Sequence, residues 1–275
     1  MTGPRLASLH IYPMKAARAV DLDQATVEPW GLKGDRRWLL IDADGGAVSQ
    51  REDPALARLT VTYLGTADAI EVHADGRPGC VIQPPGPDAP MLKADVWGDV
   101  VPAAAAGPEA DAWFSAYLGW PVRLVYLDDP TRRPADPEYG RPGDVVSFAD
   151  DFPLLLTSTG SLGELNRWLA GDGEPPVPMT RFRPSAVVAG TAPWAEDRWR
   201  RVRIGAVPFR VAKPCGRCIV ITIDQVTGQH GGQPLKMLGR HRNIGQLLVF
   251  GQNLIPDASG VIRVGDPIEI LEIGP

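Results

Sequence analysis

Apolar and polar residues alternate over short stretches through most of the first half of the chain. A period of two is typical of strands that bury one face, and turn residues separate the stretches. The pattern predicts one amphipathic helix, at 108–118, and a hairpin turn at 42–46 (Asp-Ala-Asp-Gly-Gly). It also predicts five strands in this half, at 6–12, 37–41, 59–63, 69–73 and 122–126.

Residues 127–147 differ from those before them, because they are polar, contain several prolines and show no periodicity. We interpret them as a connecting segment between an N-terminal unit, 1–126, and a second unit, 148–275. The second unit starts with an apolar run at 154–156 and a helix predicted over 160–169. Strands are predicted after it at 185–188, 207–212, 218–223, 261–264 and 268–271. The expected fold class is β-rich α+β with few short helices.

Composition supports a globular protein, since 44% of the 275 residues are hydrophobic and 22% are charged. The formal net charge of -5 argues against a general attraction to nucleic acid. The chain has no run of about 18 apolar residues, and residues 1–9 lack the apolar segment of a secretory signal. We therefore expect a cytoplasmic protein that binds neither nucleic acid nor a membrane.

Positive charge is concentrated between residues 181 and 217, where nine arginines and lysines stand against two carboxylates. Such segregation predicts a local anion site in an otherwise acidic protein. Arg181 and Arg183 flank Phe182 and can face one ligand, although surface ion pairing explains them equally well. The arginines at 198, 200, 201 and 203 are more simply interpreted as the solvated face of a strand.

The chain has three cysteines, Cys80, Cys215 and Cys218, which are too few to staple a fold of this size, so reduced thiols are expected. Residues 214–218 read Pro-Cys-Gly-Arg-Cys. A redox pair needs its first cysteine at a helix N-terminus, whereas a strand is predicted to follow here, and zinc needs two further ligands. Buried structural thiols are another alternative. Because Arg217 adjoins Cys218, a thiolate that binds a soft metal also remains open.

Other motifs narrow the choice of chemistry. A Walker-type phosphate loop, a Rossmann glycine pattern and a hydrolase triad are not evident, and His10 and His73 are interpreted as ordinary surface or partly buried histidines. The residues at 250–254 (Phe-Gly-Gln-Asn-Leu) place two carboxamides beside a glycine. That arrangement suits contact with a heteroaromatic ligand, and it suits a polar turn as well.

Taken together, four segments resemble a MOSC domain, the module named after molybdenum cofactor sulfurase C-terminal domains. They are 179–184 (Met-Thr-Arg-Phe-Arg-Pro), 214–218, 250–254 and 261–266. In the N-terminal part, 12–15 (Tyr-Pro-Met-Lys) and 34–38 (Gly-Asp-Arg-Arg-Trp) resemble the β-barrel domain that precedes MOSC in the mitochondrial amidoxime-reducing component and its bacterial relatives. The resemblance implies a β-barrel-like domain at 1–126 and a MOSC β-barrel domain at 148–275.

The same resemblance implies a molybdenum enzyme whose cofactor is Mo-molybdopterin, with Cys218 as the catalytic residue and the protein ligand of the metal. A soft thiolate suits a metal that the pterin dithiolene also holds. Cationic residues would grip the pterin phosphate, and small or polar residues would line the rest of the cofactor. The implied cofactor-binding residues are Lys15, Arg36, Asp151, Phe152, Arg183, Gly216, Arg217 and Asn253.

This chain departs from the family pattern at three places. Ala16 replaces a hydroxyl residue after Lys15, and Asp151 and Phe152 replace hydroxyl residues on the cofactor loop. An aspartate repels phosphate, so only backbone contact is expected from that loop. Ser185 stands where asparagine is common. These departures affect the expected substrate range more than the expected binding of the cofactor.

The implied activity is the reduction of small N-hydroxylated compounds, namely amidoximes, hydroxylamines and N-hydroxylated bases. The chain has no cysteine after Cys218, so a separate electron-donor protein of the ferredoxin, flavoprotein or cytochrome type is expected. The alternatives are a carrier that transfers sulfur or molybdenum cofactor through Cys218 or Cys215, and a metabolite-binding protein with an inactive site. Pyridoxal phosphate, which the full sulfurase binds on a separate domain, is not expected.

Overall fold

The computed structural model describes residues 3–65 and 68–274, and within these residues it contains three α-helices and nineteen strands. The helices are α1 (Pro108–Leu118), α2 (Thr159–Gly171) and α3 (Leu235–His241). The strands are β1 (Arg5–Ile11), β2 (Val20–Leu22), β3 (Gln24–Glu28), β4 (Gly31–Leu32), β5 (Trp38–Ile41), β6 (Thr60–Tyr63), β7 (Ile70–His73), β8 (Cys80–Ile82), β9 (Met91–Val96), β10 (Asp99–Ala105), β11 (Arg123–Tyr126), β12 (Leu154–Ser158), β13 (Ala186–Ala189), β14 (Trp199–Ile204), β15 (Val207–Gly216), β16 (Asn243–Ile244), β17 (Leu247–Pro256), β18 (Gly260–Arg263) and β19 (Ile268–Ile273). The predicted β-rich α+β class is confirmed.

The largest sheet joins strands from both ends of the chain. Its order is β19-β14-β15-β17-β12-β13-β1-β2, and β16 pairs with β17 at its side. β1 runs antiparallel to β13, with Leu9 opposite Ala186. Near the start of β1, the Leu6 amide donates to the Asp266 carbonyl at 2.9 Å, which brings the far edge of the sheet back toward β1. The buried core between these strands is mostly aliphatic, with Leu6, Leu9 and Val202, and it also contains the aromatic ring of Phe209.

Three smaller sheets complete the fold, with the orders β5-β11-β10-β9, β18-β3-β4 and β6-β7-β8. The second of them again joins the two halves, because β18 pairs with β3 from Gly260 opposite Val27 to Arg263 opposite Gln24. A separate apolar core lies around Trp38, Phe114 and Leu124, where α1 packs. The predicted division into units at 1–126 and 148–275 stays a prediction, although strands of each half complete sheets of the other.

Residues 127–147 are packed against the fold through a buried arginine. The Arg133 side chain is 1% exposed. Its guanidinium donates to the carbonyls of Ser147 at 2.7 Å and Asp150 at 2.6 Å, and also to that of Ala149. Three carbonyl acceptors satisfy a charge that would be costly to bury alone. This segment therefore fixes the backbone that leads into Asp151 and Phe152.

Helix prediction succeeded where capping signals were present. α1 spans the predicted residues, with proline in its first turn and Gly119 in a left-handed C-cap at φ 81°. α2 is longer than predicted, from 159 to 171, and the Ser158 hydroxyl accepts from the Ser161 amide as its N-cap. Among the described residues, none of the helices is long and apolar enough to cross a membrane.

The strand predicted at 218–223 was wrong. β15 ends at Gly216, and after Cys218 the chain turns into a 3-10 helix, Ile219–Thr222, where the Thr222 hydroxyl donates to the Ile219 carbonyl at 2.8 Å. A short apolar run is compatible with either structure, because it carries no periodicity of its own. Strands β2, β3, β4, β8, β9, β10, β16 and β17 and helix α3 were not predicted. Of these, β17 and α3 lack clear alternation or capping signals, and packing against the sheet and within an apolar cluster that includes Met237, Leu238 and Phe250 stabilises them.

Candidate functional site

A cavity of about 640 Å³ opens between loops from both halves of the chain. It lies within the size range of small-molecule and cofactor sites. All the residues predicted for the site line it: Lys15, Arg36, Asp151, Phe152, Arg183, Gly216, Arg217, Cys218 and Asn253. The structure thus brings together residues that are up to 238 positions apart in the sequence, since Lys15 and Asn253 both line this cavity. Their roles toward a ligand remain a prediction.

Lys15 is fixed where the chain leaves the bridge between Met14 and Trp38. The side chain is 7% exposed, and its Nζ atom donates to the Phe148 carbonyl at 2.8 Å and to Asp150 Oδ1 at 2.5 Å. Burial lowers the pKa of Lys15, and Asp150 opposes that shift. The Asp150 side chain is 62% exposed, so its loss of water raises its pKa only in part, and the Lys15 ammonium outweighs this and holds the pKa of Asp150 well below its usual range.

Two arginines share the ring of Tyr12. The guanidinium carbons of Arg36 and Arg183 lie 4.4 and 4.2 Å from the ring centre. Both residues adopt a left-handed backbone conformation, with φ 49° and 54°. Residues other than glycine seldom adopt this conformation, and those that do cluster at functional sites. Arg36 also pairs with buried Asp35, whereas Arg183 donates to the Ala17 carbonyl at 2.8 Å. Burial lowers the pKa of Arg183 to about 10, and nearby Arg36 adds to that effect.

The two cysteines of the C-x-x-C sequence are free thiols at the end of β15. The Arg217 guanidinium contacts the first of them, because its Nη1 is 2.9 Å from Cys215 Sγ, and its Nη2 donates to the Phe182 carbonyl at 2.8 Å. Cys215 belongs to the strand, and only Cys218 precedes the 3-10 helix. The first cysteine therefore lacks the helix N-terminus that a thioredoxin-like redox pair needs. The reason is that Cys215 lies within β15, not that a strand follows Cys218 as predicted.

Arg51 is the site residue that sequence reasoning missed. Its Nη2 atom lies 3.3 Å from Cys218 Sγ, and its guanidinium carbon lies 4.3 Å from the centre of the Trp97 ring. Trp97 in turn donates from Nε1 to Asp150 Oδ1 at 3.0 Å. No local signal reveals Arg51, because it stands 167 residues from Cys218 on a polar loop.

Lys213 and the loop before β12 form another side of the cavity. The Lys213 ammonium lies 3.1 Å from Asp136 and 3.5 Å from Asp151, and 5.1 Å from the centre of the Phe152 ring. Asp151, whose side chain is 51% exposed, is thus largely compensated by Lys213. Asn253 lies opposite Leu155 and Lys213 in the ladder of β17, and it lines the cavity together with the buried loop residue Phe152.

The cavity contains more cationic than anionic side chains. Six arginines and lysines line it, against the carboxylates of Asp150 and Asp151. Within the part of the chain that the structure describes, Arg51, Arg183 and Arg217 have no carboxylate within 4 Å of their nitrogens. Guanidinium groups that line one cavity without counter-ions favour a bound anion. Of the nine basic residues at 181–217, Arg183, Lys213 and Arg217 line this cavity, and the anion site predicted from the charge pattern stays a prediction.

Comparison with known proteins identifies the family. The family model for the MOSC N-terminal beta barrel domain matches residues 3–121, and that for the MOSC domain matches residues 143–269. The chain belongs to the MOSC family. It is 31% identical to mitochondrial amidoxime-reducing component 1 of Homo sapiens and 32% identical to that of Mus musculus, in both cases over 97% of this chain and 82% of the relative. Molybdenum cofactor sulfurase of Danio rerio is 29% identical over 86% of this chain but 30% of its own length.

Most of the other basic residues of this MOSC protein lie away from the cavity. Arg181 pairs with Asp224 at 2.8 Å, so the ion-pairing alternative describes it correctly. Arg201 and Arg203 are exposed on β14 and pair with Asp257 and Glu269, as expected of a solvated strand face. Ser185 does not line the cavity either, and its hydroxyl accepts a hydrogen bond from the Leu155 amide.

A second polar group lies on the outer side of β1 in the MOSC protein. Ser8 Oγ is 2.8 Å from His10 Nε2, and His10 Nδ1 is 2.6 Å from Asp21 Oδ1, beside a groove of about 250 Å³. The order of atoms is that of a hydrolase triad, which the sequence did not reveal. The Asp21 side chain is 83% exposed, however, so water competes for its carboxylate and the pair orients the imidazole only weakly.

Proposed function

We propose that this protein is a molybdenum cofactor-dependent oxidoreductase that reduces N-hydroxylated compounds, with Cys218 as the protein ligand of the metal. The observation that carries the proposal is that Cys218, Lys15, Arg36 and Arg183 line the same cavity. The similarity of the chain, over nearly its whole length, to mitochondrial amidoxime-reducing components supports the reaction class. Family membership supports the cofactor.

The residues present fit such a cofactor. A thiol is a soft ligand for molybdenum, and Cys218 is half-buried rather than sealed in the core. Arg183 has no carboxylate partner and suits the phosphate of the pterin, because charge-assisted hydrogen bonds to phosphate are strong. Lys15 and Arg36 add positive charge beside it, although they already pair with Asp150 and Asp35. In this proposal Lys15, Arg36 and Arg183 hold the phosphate, while Gly216, Arg217, Asn253 and the backbone at Asp151 and Phe152 line the pterin.

The chain's own part in catalysis is binding, orientation and charge compensation. Reduction of an N-hydroxyl group to N–H consumes two electrons and two protons and releases water. When bound, the molybdenum cofactor supplies the electron transfer. The Cys218 thiolate anchors the metal end of the site, and the cationic wall compensates the negative charge of the phosphate and dithiolene. The electrons come from a separate donor protein of the ferredoxin, flavoprotein or cytochrome type.

Metal and pterin analysis tests this proposal directly. The wild-type protein and a Cys218→Ser variant are purified from a host that makes molybdenum cofactor. We expect about one molybdenum and one pterin per wild-type chain, with the metal sharply reduced in the variant because serine is a hard, poorly ionised ligand. The loaded protein should then reduce benzamidoxime with a chemical or protein donor. A wild-type protein that stays empty after incubation with free cofactor would contradict the proposal.

A further inference from the structure

Arg51 has hydrogen-bonding capacity that no part of the proposed function uses. A guanidinium carries five N–H donors. Within residues 3–65 and 68–274, one contact is made by them, from Nη2 to Cys218 Sγ at 3.3 Å, and sulfur is a weak acceptor. Arg51 also has no carboxylate at ion-pair distance in this part of the chain. It is therefore a cation beside the proposed metal ligand with most of its donors unsatisfied.

The loop that carries Arg51 is fixed on both sides of it. The Ser49 amide and hydroxyl both donate to Glu52 Oε2, at 2.9 and 2.6 Å. The Gln50 side chain is 1% exposed and donates to the Ala16 carbonyl at 2.6 Å, while it also bonds to Gln225. The backbone is thus held firmly, and the Arg51 guanidinium lines the cavity between Trp97 and Cys218. Such an arrangement presents a side chain for recognition rather than for packing.

Trp97 positions the guanidinium at some cost in backbone strain. It forms, with Gly98, the two-residue turn between β9 and β10, because Val96 pairs with Asp99. Its φ is 59°, and such turn positions favour asparagine or glycine over a bulky residue. The Trp97 side chain is nevertheless 44% exposed, so packing in the core does not explain its presence. Strain of this kind is retained where the side chain has a function.

We propose that Arg51, positioned by Trp97, is a specificity residue that binds an anionic group on the substrate. The protein then prefers planar N-hydroxylated compounds that carry a carboxylate. The inference rests on the proposed function. Lys15, Arg36 and Arg183 serve the pterin phosphate there, and Asp150 is compensated by Lys15, which leaves Arg51 as a cation in contact with Cys218. A carboxylate held by Arg51 places the rest of the substrate beside the thiol.

Substrate pairs that differ only in charge test this assignment. Benzamidoxime and 4-carboxybenzamidoxime are compared as substrates of the cofactor-loaded protein, with wild type, Arg51→Gln, Arg51→Lys and Arg58→Gln. Arg58 follows the same loop and pairs with Asp75 on the surface, so its variant is the matched control. We expect wild type and Arg58→Gln to favour the carboxylated substrate by about tenfold or more in kcat/KM, mainly through KM, as a charge-assisted contact provides.

In Arg51→Gln the preference should fall to about one, and Arg51→Lys should restore part of it because the charge returns without the planar fork. High salt should reduce the wild-type preference. Equal kcat/KM for the two substrates in wild type, or a loss in Arg51→Gln that is the same for both, would overturn the assignment.

An equilibrium measurement separates this inference from the proposed function. Binding of 4-carboxybenzamidine and of benzamidine to the loaded protein is measured by titration calorimetry, which needs no turnover. Tighter binding of the carboxylated compound in wild type, lost in Arg51→Gln, supports the assignment even where no N-hydroxylated compound is reduced and the proposed function fails. Equal affinities in wild type contradict it even where reductase activity is found.

Discussion

Arg36 donates a hydrogen bond from Nη2 to the carbonyl of Arg183 at 3.3 Å, and the two guanidinium groups lie over the same tyrosine ring. Two positive charges that contact the same ring repel each other, and partial burial strengthens the repulsion. The Tyr12 ring, Asp35 and the Ala17 carbonyl compensate them in part. A bound dianion would complete that compensation, and its binding would depend on folding because Arg36 and Arg183 come from different halves of the chain.

Removing one of these cations should weaken anion binding by the cofactor-free protein. Phosphate should raise the thermal unfolding midpoint of wild type, because a ligand of the native state stabilises it. In Arg183→Gln, one lost charge-assisted contact costs about 1.5–3 kcal/mol, so phosphate affinity should fall about tenfold to a hundredfold. Arg203→Gln, which removes an exposed cation paired with Glu269, is the control. An unchanged phosphate response in Arg183→Gln would contradict the assignment.

Cys215 and Cys218 should differ in their effect on the cofactor. In a metal enzyme with one protein thiolate, Cys215→Ala loses only the contact with Arg217 and keeps its molybdenum and reductase activity. A carrier that relays sulfur through two thiols fails in both single variants. Molybdenum, pterin and activity are measured for Cys215→Ala, Cys218→Ser and, as a control outside the cavity, Cys80→Ala. Loss of cofactor in Cys215→Ala equal to that in Cys218→Ser would favour the carrier.

The pair of Lys15 and Asp150 should contribute to acid sensitivity. The pKa of Asp150 is lowered in the folded protein, so the unfolded chain binds more protons as pH falls. The stability that Asp150 contributes is therefore present above its unfolded pKa of about 3.9 and is lost as pH falls below that value. Asp150→Asn should show a shallower decline in the free energy of unfolding between about pH 5 and 3. Urea titrations across this range measure it.

Asp75→Asn provides the comparison for that experiment, because its carboxylate is 90% exposed in the pair with Arg58. Exposed pairs contribute little to stability. A decline in Asp150→Asn as steep as in wild type and Asp75→Asn would show that the Lys15 pair does not contribute.

Gly251 should be intolerant of a side chain. Its φ is 86°, and a Cβ atom there would lie 2.7 Å from the Leu156 carbonyl oxygen. Gly251→Ala combines left-handed strain with a backbone clash, and should reduce the free energy of unfolding by about 2 kcal/mol or more. Gly163→Ala, in α2 with open space around the new methyl group, should instead stabilise by about 1 kcal/mol. Denaturant titrations compare them, and equal stability of the two variants would contradict the close approach.

Local signals were sufficient for several elements. The boundaries of α1 follow from proline in its first turn and Gly119 after its last residue. The core strands β1, β5 and β7 lie within or close to the predicted ranges because alternation and short apolar runs are local. The run after Cys218 misled, since three apolar residues in a row fit a strand and a 3-10 turn equally. β17 was overlooked because Gln252 and Asn253 interrupt its apolar pattern, whereas pairing with β15 stabilises the strand.

The sequence by itself determined the β-rich class and, through the resemblance of short motifs, the family and the residues that line the cavity. It could not determine which cations remain without counter-ions. Arg181 and Arg183 look alike along the chain, yet Asp224 neutralises the first and the second faces the cavity. Ion pairing and the contact between Arg51 and Cys218 depend on distances between residues far apart in sequence, and such distances exist only once the strands have paired.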